Sequence, residues 1–499
     1  MGWKSTIVKP FANYIARRTN LDSMKAVADQ QNWMHKLLLR ANQTTFGQEH
    51  NFLKIKTHQD FVQAIPVRDY EGLRPYFDQV KEGQPDVLWP GKPVYLAKTS
   101  GTTSGVKYIP ITKESLPNHF ETARNAVFCY ASHANHFNYL DGKLMFFSGS
   151  PELETKHGIF VGRLSGIVNH QIPRWLQGNK LPSWEVNCIS DWETKVEAMV
   201  TEALSTDLRL IGGIPPWVQM FYERLLARTG KDTVKEVFPH YSVFVYGGVN
   251  YAPYRDLLRR YVGKDLHTVE TYPASEGFIA FQDRPGDQGL LLNTNSGIFY
   301  EFIPLEEIHK SAPRRLTLAQ VETGVQYALI LNTNAGLWGY NIGDTVEFTQ
   351  LNPYYLRVTG RVKHFISAFG EHVIGKEVEE ALKQTVAMMP ADIIEFSVAP
   401  QVNPGGGELP YHEWFIEFGD LKPDLDEFAR HLDQHMQAQN IYYRDLITGK
   451  ILRPLVIRSL PLHSFREYMK SIGKLGEQNK VPRLTNDRQM ADRLNQYMQ

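Results

Sequence analysis

Cysteine is almost missing from this chain: Cys129 and Cys188 are the two among 499 residues. Two thiols cannot build a disulfide framework, which excludes the stapled extracellular scaffolds and predicts reduced, buried thiols in a cytosolic protein. Long apolar runs are missing too. No stretch reaches about 18 residues, so no membrane-spanning helix is expected. Charge of one sign is not in excess, because Lys+Arg and Asp+Glu number 54 each. That balance excludes bulk attraction to nucleic acid or to an anionic membrane. The opening residues MGWKSTIVKPFANYIARRT lack the apolar core and cleavage site of a secretory signal, although Gly2 and Thr6 fit the loose myristoylation pattern. There is no internal repeat and no low-complexity tract. What remains is an ordinary globular balance, 42% apolar and 22% charged. The length suits roughly two to four domains.

Residues 1 to 90 read as mainly helical, with Met24–Ala41 carrying apolar residues at helical spacing. Beyond 90, short apolar runs end in glycine-rich corners and lead into helical stretches. KLMFFSGS (143–150), DLRLIGGIPP (207–216), YSVFVYGGVN (241–250) and HTVETYPASEG (267–277) follow this pattern. Ser190-Asp191-Trp192-Glu193 reads as a capping box that opens a helix. Buried strands alternating with helices predict an α/β sheet, with ligands outside the carboxyl ends of its strands. After 300 the pattern turns β-rich (GIFYEFIP, VQYALILNT, TVEFTQ, YYLRVTGR). Past Arg361 a smaller α+β unit follows. The expected layout is a large N-terminal domain over 1–360, with mixed sheets and a β-rich part, and a small C-terminal α+β domain over 365–499.

Six short pieces could carry chemistry. TSGTTSGVK (99–107) is nearly all small donors: glycines that let backbone N–H groups approach, hydroxyls, then Lys107. It is not a Walker A loop, which needs Gly-Lys-Ser/Thr, but the physics of wrapping a phosphate is the same. TYPASEG (271–277) offers an aromatic plate, Tyr272, and a carboxylate, Glu276, with Ser275 between them. A nucleotide site needs a π-face for the base and an oxygen ligand for Mg²⁺. In YGGVNYAPY (246–254) Gly248 gives a flat backbone against the same base. In GYNIGDTVEF (339–348) Asp344 could accept from ribose hydroxyls. VTGRVKHF puts Arg361 and Lys363 at the domain boundary, and GEQNKVPRL (476–484) carries Lys480 in a non-helical loop. Taken singly, TYPASEG, YGGVNYAPY and GYNIGDTVEF read more readily as turns, and Lys480 as a surface side chain.

Their order is more specific than any member. A TSGTT loop, then YxxSEG, then YxxGD, then Gly-Arg at a boundary, then a late lysine resembles the adenylate-forming (ANL) superfamily. Within it, TSGTTSGVKYIP, YPASEG followed by FIAFQ, GIFYEFIP, YNIGD and NKVPR resemble the auxin-responsive promoter (Gretchen Hagen) family of acyl acid amido synthetases. The resemblance runs from about residue 90 to 485.

The resemblance implies an enzyme that uses ATP and Mg²⁺ to turn a carboxylic acid into an acyl-adenylate. The acyl group then passes to an amine, commonly an amino acid. Carried over by motif, Thr99, Ser100, Gly101, Thr102 and Thr103, with Lys107, would form the phosphate loop. Tyr272, Gly248 and Ser275 would line the adenine side, and Glu276 would hold Mg²⁺. Asp344 would bind ribose with Arg361 beside it, Lys363 would fall at the hinge, and Lys480 would be the catalytic lysine. A monomer acting in the cytoplasm, with no nucleic-acid or membrane partner, is expected. The alternatives are an acyl-CoA ligase with a thiol acceptor and a non-catalytic adenylate sensor. Three departures stand out: little charge after the second glycine of the loop, Pro273 after Tyr272, and Asn341 where many members have Arg. The acid pocket is expected near the helix 116–130, where Arg124, Phe128 and Tyr130 are candidates that read more readily as helix packing, and near the 212–217 corner, where Trp217 reads as core rather than pocket.

Overall fold

The computed structural model describes the chain except residues 1, 100–106, 173–176, 190, 249–250, 252–253, 309, 362–364, 367–372, 403, 405–407, 449–451, 476–479, 486–487 and 499. It gives backbone alone at 3, 216, 361, 365, 441, 442 and 445. Compactness divides it into two units. The larger comprises 1–214, 220–248 and 265–358; the smaller comprises 215–219, 249–264 and 359–499.

The larger unit is built on an 11-stranded mixed sheet. From one edge its strands run 298–304, 326–333, 340–351, 354–361, 290–292, 277–281, 267–274, 243–247, 208–212, 143–146 and 180–181. The last five pair in parallel. Strands 208–212 and 243–247 lead through glycine corners into helices, as the βα pattern requires, whereas 143–146 and 267–274, expected to do the same, lead into further strands. Pro215–Thr229 is one such helix, with proline at its start and Gly230 at φ 63 closing it. The sheet changes character at one hairpin. Strand 267–274 pairs antiparallel with 277–281 through Gly277↔Ala274, so Ser275 and Glu276 form the turn where the parallel half meets the antiparallel half.

The first motif departs from the βα expectation. It joins two strands, Tyr95–Thr99 and Lys107–Ile111, antiparallel with Thr99 opposite Lys107, in a separate four-stranded sheet. A helix, Leu116–Ala134, follows only after the second strand. The apolar core of this unit gathers Phe46, Phe52, Phe61, Phe77, Phe302, Phe348 and Trp338 around the antiparallel strands.

In the smaller unit, Ile393–Gln401 and Tyr411–Phe418 pair antiparallel, and Val456–Leu460 adds in parallel. The helices Gly375–Met388 and Leu425–Gln439 bury Val378, Leu382, Phe428, Leu432 and Met436 with Trp414 and Phe418. Two local expectations change. The helix Trp192–Leu204 is capped by Asp191, whose carboxylate accepts from the Thr194 N–H at 2.9 Å, rather than by Ser190. Asp191 is one turn from the N–H that needs a partner, as a cap must be. Of the two unpaired thiols, Cys129 is buried but Cys188 is only half-buried.

Candidate functional site

The Ser275-Glu276 turn is pinned from a distance. Asn118, on the helix Leu116–Ala134, accepts from the Phe278 N–H at 2.6 Å and donates to its carbonyl at 3.2 Å. Its amide also donates to the Ser296 hydroxyl at 2.9 Å. Both backbone groups after the turn are thereby fixed. The Glu276 carboxylate accepts a bond of 3.2 Å from the Tyr340 hydroxyl. Tyr340 is 1% exposed. Burial first and the adjacent Glu276 second push its phenol well above the usual range, so it stays a donor.

Asp344 comes from the same strand as Tyr340. Ala328 faces Thr345 and Ile330 faces Asn341, so extra residues bulge out of the 340–351 strand between these pairs. Gly343 sits in the bulge at φ 86, where a side chain is disfavoured, and its N–H donates to Asn341 Oδ1 at 2.9 Å. The bulge turns Asp344 inward, to 6% exposure. There the Tyr272 hydroxyl donates to its Oδ2 at 2.6 Å. Asn341 is thus a structural cap in this chain, its backbone N–H bonded to Arg68 O and that of Arg68 to Gly339 O.

The first motif reaches this neighbourhood through Tyr70. The Lys107 ammonium lies 5.6 Å from the Tyr70 ring centroid, and the Tyr70 hydroxyl accepts from the Tyr108 N–H at 3.0 Å. Tyr70 stacks on Phe77 at 4.8 Å, and Phe77 meets Tyr340 edge-on at 6.4 Å. Lys107, Glu276, Tyr272 and Asp344 are therefore tied together by named contacts inside the larger unit. Gly247 ends the 243–247 strand so close to the next strand that a Cβ would lie 2.4 Å from the Thr271 carbonyl oxygen. Gly248 follows at φ 78. Ser275 is half-buried and Thr99 closes the hairpin opposite Lys107.

Ser100, Gly101, Thr102, Thr103 and Lys363 lie outside the described residues, and Arg361 is described only in its backbone. Lys480 is an exposed residue of the smaller unit. Of the expected acid-pocket residues on the 116–134 helix, Arg124 lines a cavity of about 290 Å³ together with Asn118, Thr122 and Ser296. The Arg124 guanidinium lies 5.7 Å from the Phe11 ring, Phe128 meets Phe11 edge-on at 6.0 Å, and the Tyr130 hydroxyl is 3.3 Å from His267 Nδ1. Phe128 and Tyr130 pack the helix against Trp3–Ser23 and the base of the sheet. Trp217 is buried in the smaller unit. Three residues escaped the sequence reading: Tyr340, Tyr70 and Asn118. Tyr340 opens the YNIGD motif and was available there. Asn118 acts over 160 residues of chain, and nothing local marks it.

The donor set suits a nucleotide with a hard cation. Among the described residues no group of three His, Cys, Asp or Glu is placed to hold a metal by itself. A single half-buried carboxylate is what Mg²⁺ uses when phosphate oxygens and water fill its other positions. No described helix is long and apolar enough to cross a membrane.

Residues 16–195 match the GH3 family N-terminal domain, 291–361 its central domain and 376–489 its C-terminal domain, together most of the chain. A jasmonoyl–L-amino acid synthetase of Nicotiana attenuata (JAR4) is 23% identical over 64% of this chain and 66% of its own, slightly under two thirds of its length. One of Oryza sativa subsp. japonica (GH3.5) is 22% identical over 86% and 87%. The structure of the AtGH3.15 acyl acid amido synthetase in complex with 2,4-DB superposes with a TM-score of 0.81 at 17% identity, covering 100% of this chain and 97% of that one. This likeness establishes the fold.

Proposed function

The chain belongs to the GH3 family, and from that premise we propose that it is an ATP-dependent acyl acid amido synthetase. It adenylates a carboxylic acid and transfers the acyl group to an amine, with an amino acid as the acceptor class. The observation that carries this reading is the pairing of Tyr340 with Glu276 and of Tyr272 with Asp344 at the carboxyl end of the last parallel strand.

When bound, ATP with Mg²⁺ supplies an electrophilic α-phosphorus and a neutralised pyrophosphate leaving group. The protein's own groups do the rest. Glu276, steadied by Tyr340, holds the cation. Asp344, steadied by Tyr272, accepts from ribose hydroxyls. Lys107 and Thr99, with Ser100, Gly101, Thr102 and Thr103 of the same motif, would bind phosphate oxygens, and Arg361 would serve the ribose side. The adenine lies along Tyr272, Gly248 and Ser275. Lys480 bears on the approach of carboxylate to phosphate, where two anions meet and positive charge counts most in the transition state. We propose that it acts as a monomer in the cytosol; the two free cysteines suit a reducing compartment.

The test is pyrophosphate release from ATP and Mg²⁺ across a panel of carboxylic acids, with and without the twenty amino acids or CoA. Turnover requiring one acid and one amino acid names both substrates. Turnover that rises with CoA instead replaces amide synthesis by thioester formation. Lys480→Ala should nearly abolish ATP–pyrophosphate exchange, a loss of at least about 10²-fold, while ATP still binds by calorimetry. Unchanged exchange would remove Lys480 from the reaction.

A further inference from the structure

GEQNKVPRL contains a second cation with no task in the scheme above: Arg483, three residues after Lys480. Its side chain is 13% exposed and lies between two carboxylates. Nη1 pairs with Glu395, and Nε is 3.5 Å from Glu379. Nη2 donates to the Tyr254 hydroxyl, and that hydroxyl is 3.2 Å from both Glu395 oxygens. Nη1 also reaches the Phe396 carbonyl at 3.3 Å. The guanidinium lies 4.6 Å from the Phe396 ring centroid and 5.6 Å from that of Tyr254. Tyr254 is 1% exposed and Glu395 8%. All these groups belong to the smaller unit. Planar stacking combined with a forked set of donors is a role that arginine fills and lysine cannot.

The backbone around Arg483 is tied down as well. The Val398 N–H donates to Arg483 O at 3.0 Å, and the Thr485 N–H donates to Val398 O at 2.9 Å. Ser397 Oγ donates to Pro482 O at 2.7 Å. The segment 482–485 is thereby stitched onto the edge of the 393–401 strand, with Val398 and Leu484 as a parallel bridge. Lys480, just upstream, is exposed. Three residues of chain span at most about 10–11 Å, so the anchor at Arg483 confines the lysine's backbone to that radius.

We infer that Arg483, clamped by Glu395, Glu379 and Tyr254, is a positioning residue for Lys480, setting where the lysine's loop leaves the sheet edge. The inference rests on Lys480 being the lysine of the adenylation step. A clamp serving only stability would make the same bonds, so the test separates the two through Lys480 itself.

The experiment is a double-mutant cycle on ATP–pyrophosphate exchange in the full-length protein, with Lys480→Ala, Arg483→Lys and the pair. Arg483→Lys keeps the charge and loses the fork. Small displacements of a reacting group can cost up to about 10²-fold, so kcat should fall roughly tenfold or more. The KM for ATP should stay within about twofold, as for a group acting on the transition state. In the Lys480→Ala background Arg483→Lys should add nothing, because the group it places is gone. Tyr254→Phe removes one hydroxyl, should lower kcat in the same direction by less, and carries the same cycle if Arg483→Lys fails to fold. Penalties that multiply in the Lys480→Ala background, or an unchanged kcat in both clamp variants, overturn the positioning role. Full exchange in Lys480→Ala alone instead removes the lysine assignment, and the positioning role goes with it.

Discussion

The 2.6 Å bond from the Tyr272 hydroxyl to Asp344 Oδ2 supports a carboxylate that sits at 6% exposure. A buried polar oxygen left without a donor costs the hydrogen bonds it had with water. A hydrogen bond to a charged group contributes about 1.5–3 kcal/mol. Tyr272→Phe keeps the ring and deletes the bond. It should raise the KM for ATP by between roughly tenfold and somewhat over 10²-fold, given tenfold per about 1.4 kcal/mol, with little change in the KM for the acid. Asp344→Ala should raise the ATP term further. Steady-state kinetics on both substrates decide this: if the acid term alone moves, Asp344 is not on the ribose side. Tyr272 shows how far one residue is legible in a sequence. Its ring is offered by TYPASEG, but its hydroxyl bond spans 72 residues and needs the sheet.

Two glycines separate two kinds of constraint at the level of the strand. Gly343 has nothing within 4 Å of where a Cβ would stand, but its φ is 86°. Alanine there meets conformational strain alone, of about 1–2 kcal/mol. At Gly247 a Cβ would stand 2.4 Å from the Thr271 backbone oxygen, so the parallel strands themselves must move. Gly247→Ala should therefore lower the thermal midpoint more than Gly343→Ala does. Gly343→Ala should raise the KM for ATP, because its bulge aims Asp344. Calorimetry with ATP kinetics on the two variants checks the ordering, and equal midpoints would contradict it. The strands and most helices were legible from apolar period and punctuation. The bulge was not, because YNIGD fits a β-turn equally well until the partner strand sets the register.

Acid should loosen the larger unit. Burial holds His119 down at about 4, and it holds His136 at about 4 with help from the neighbouring His267 and Lys235. His136 stacks on His267 at 4.2 Å and bonds Ser242 Oγ at 2.9 Å. Near pH 7 both states of the chain carry these rings neutral. As pH falls below the unfolded value, near 6.5, the unfolded chain takes up protons that the folded chain refuses until about 4. Stability contributed by the neutral rings is thus present above about 6.5 and lost progressively toward 4. The unfolding midpoint should decline across that window, and His136→Gln should flatten the decline. An unchanged slope in that variant would show that His136 does not carry it.

The sequence by itself determined the alternation of buried strands and helices, the β-rich stretch after 300 and the ordered set of short motifs. Each of these is written in local periodicity or in residues a few positions apart. The tertiary structure alone decided which residues of those motifs face one another. Tyr340 meets Glu276, Tyr272 meets Asp344, and Asn118 holds the turn between the two halves of the sheet. It also decided that Arg124 and Phe128 meet Phe11 of the first helix and that Arg483 is half-buried between carboxylates. Those pairings depend on strand order and bulge register. These are fixed by burying apolar faces across the whole unit, and no short window of sequence contains them.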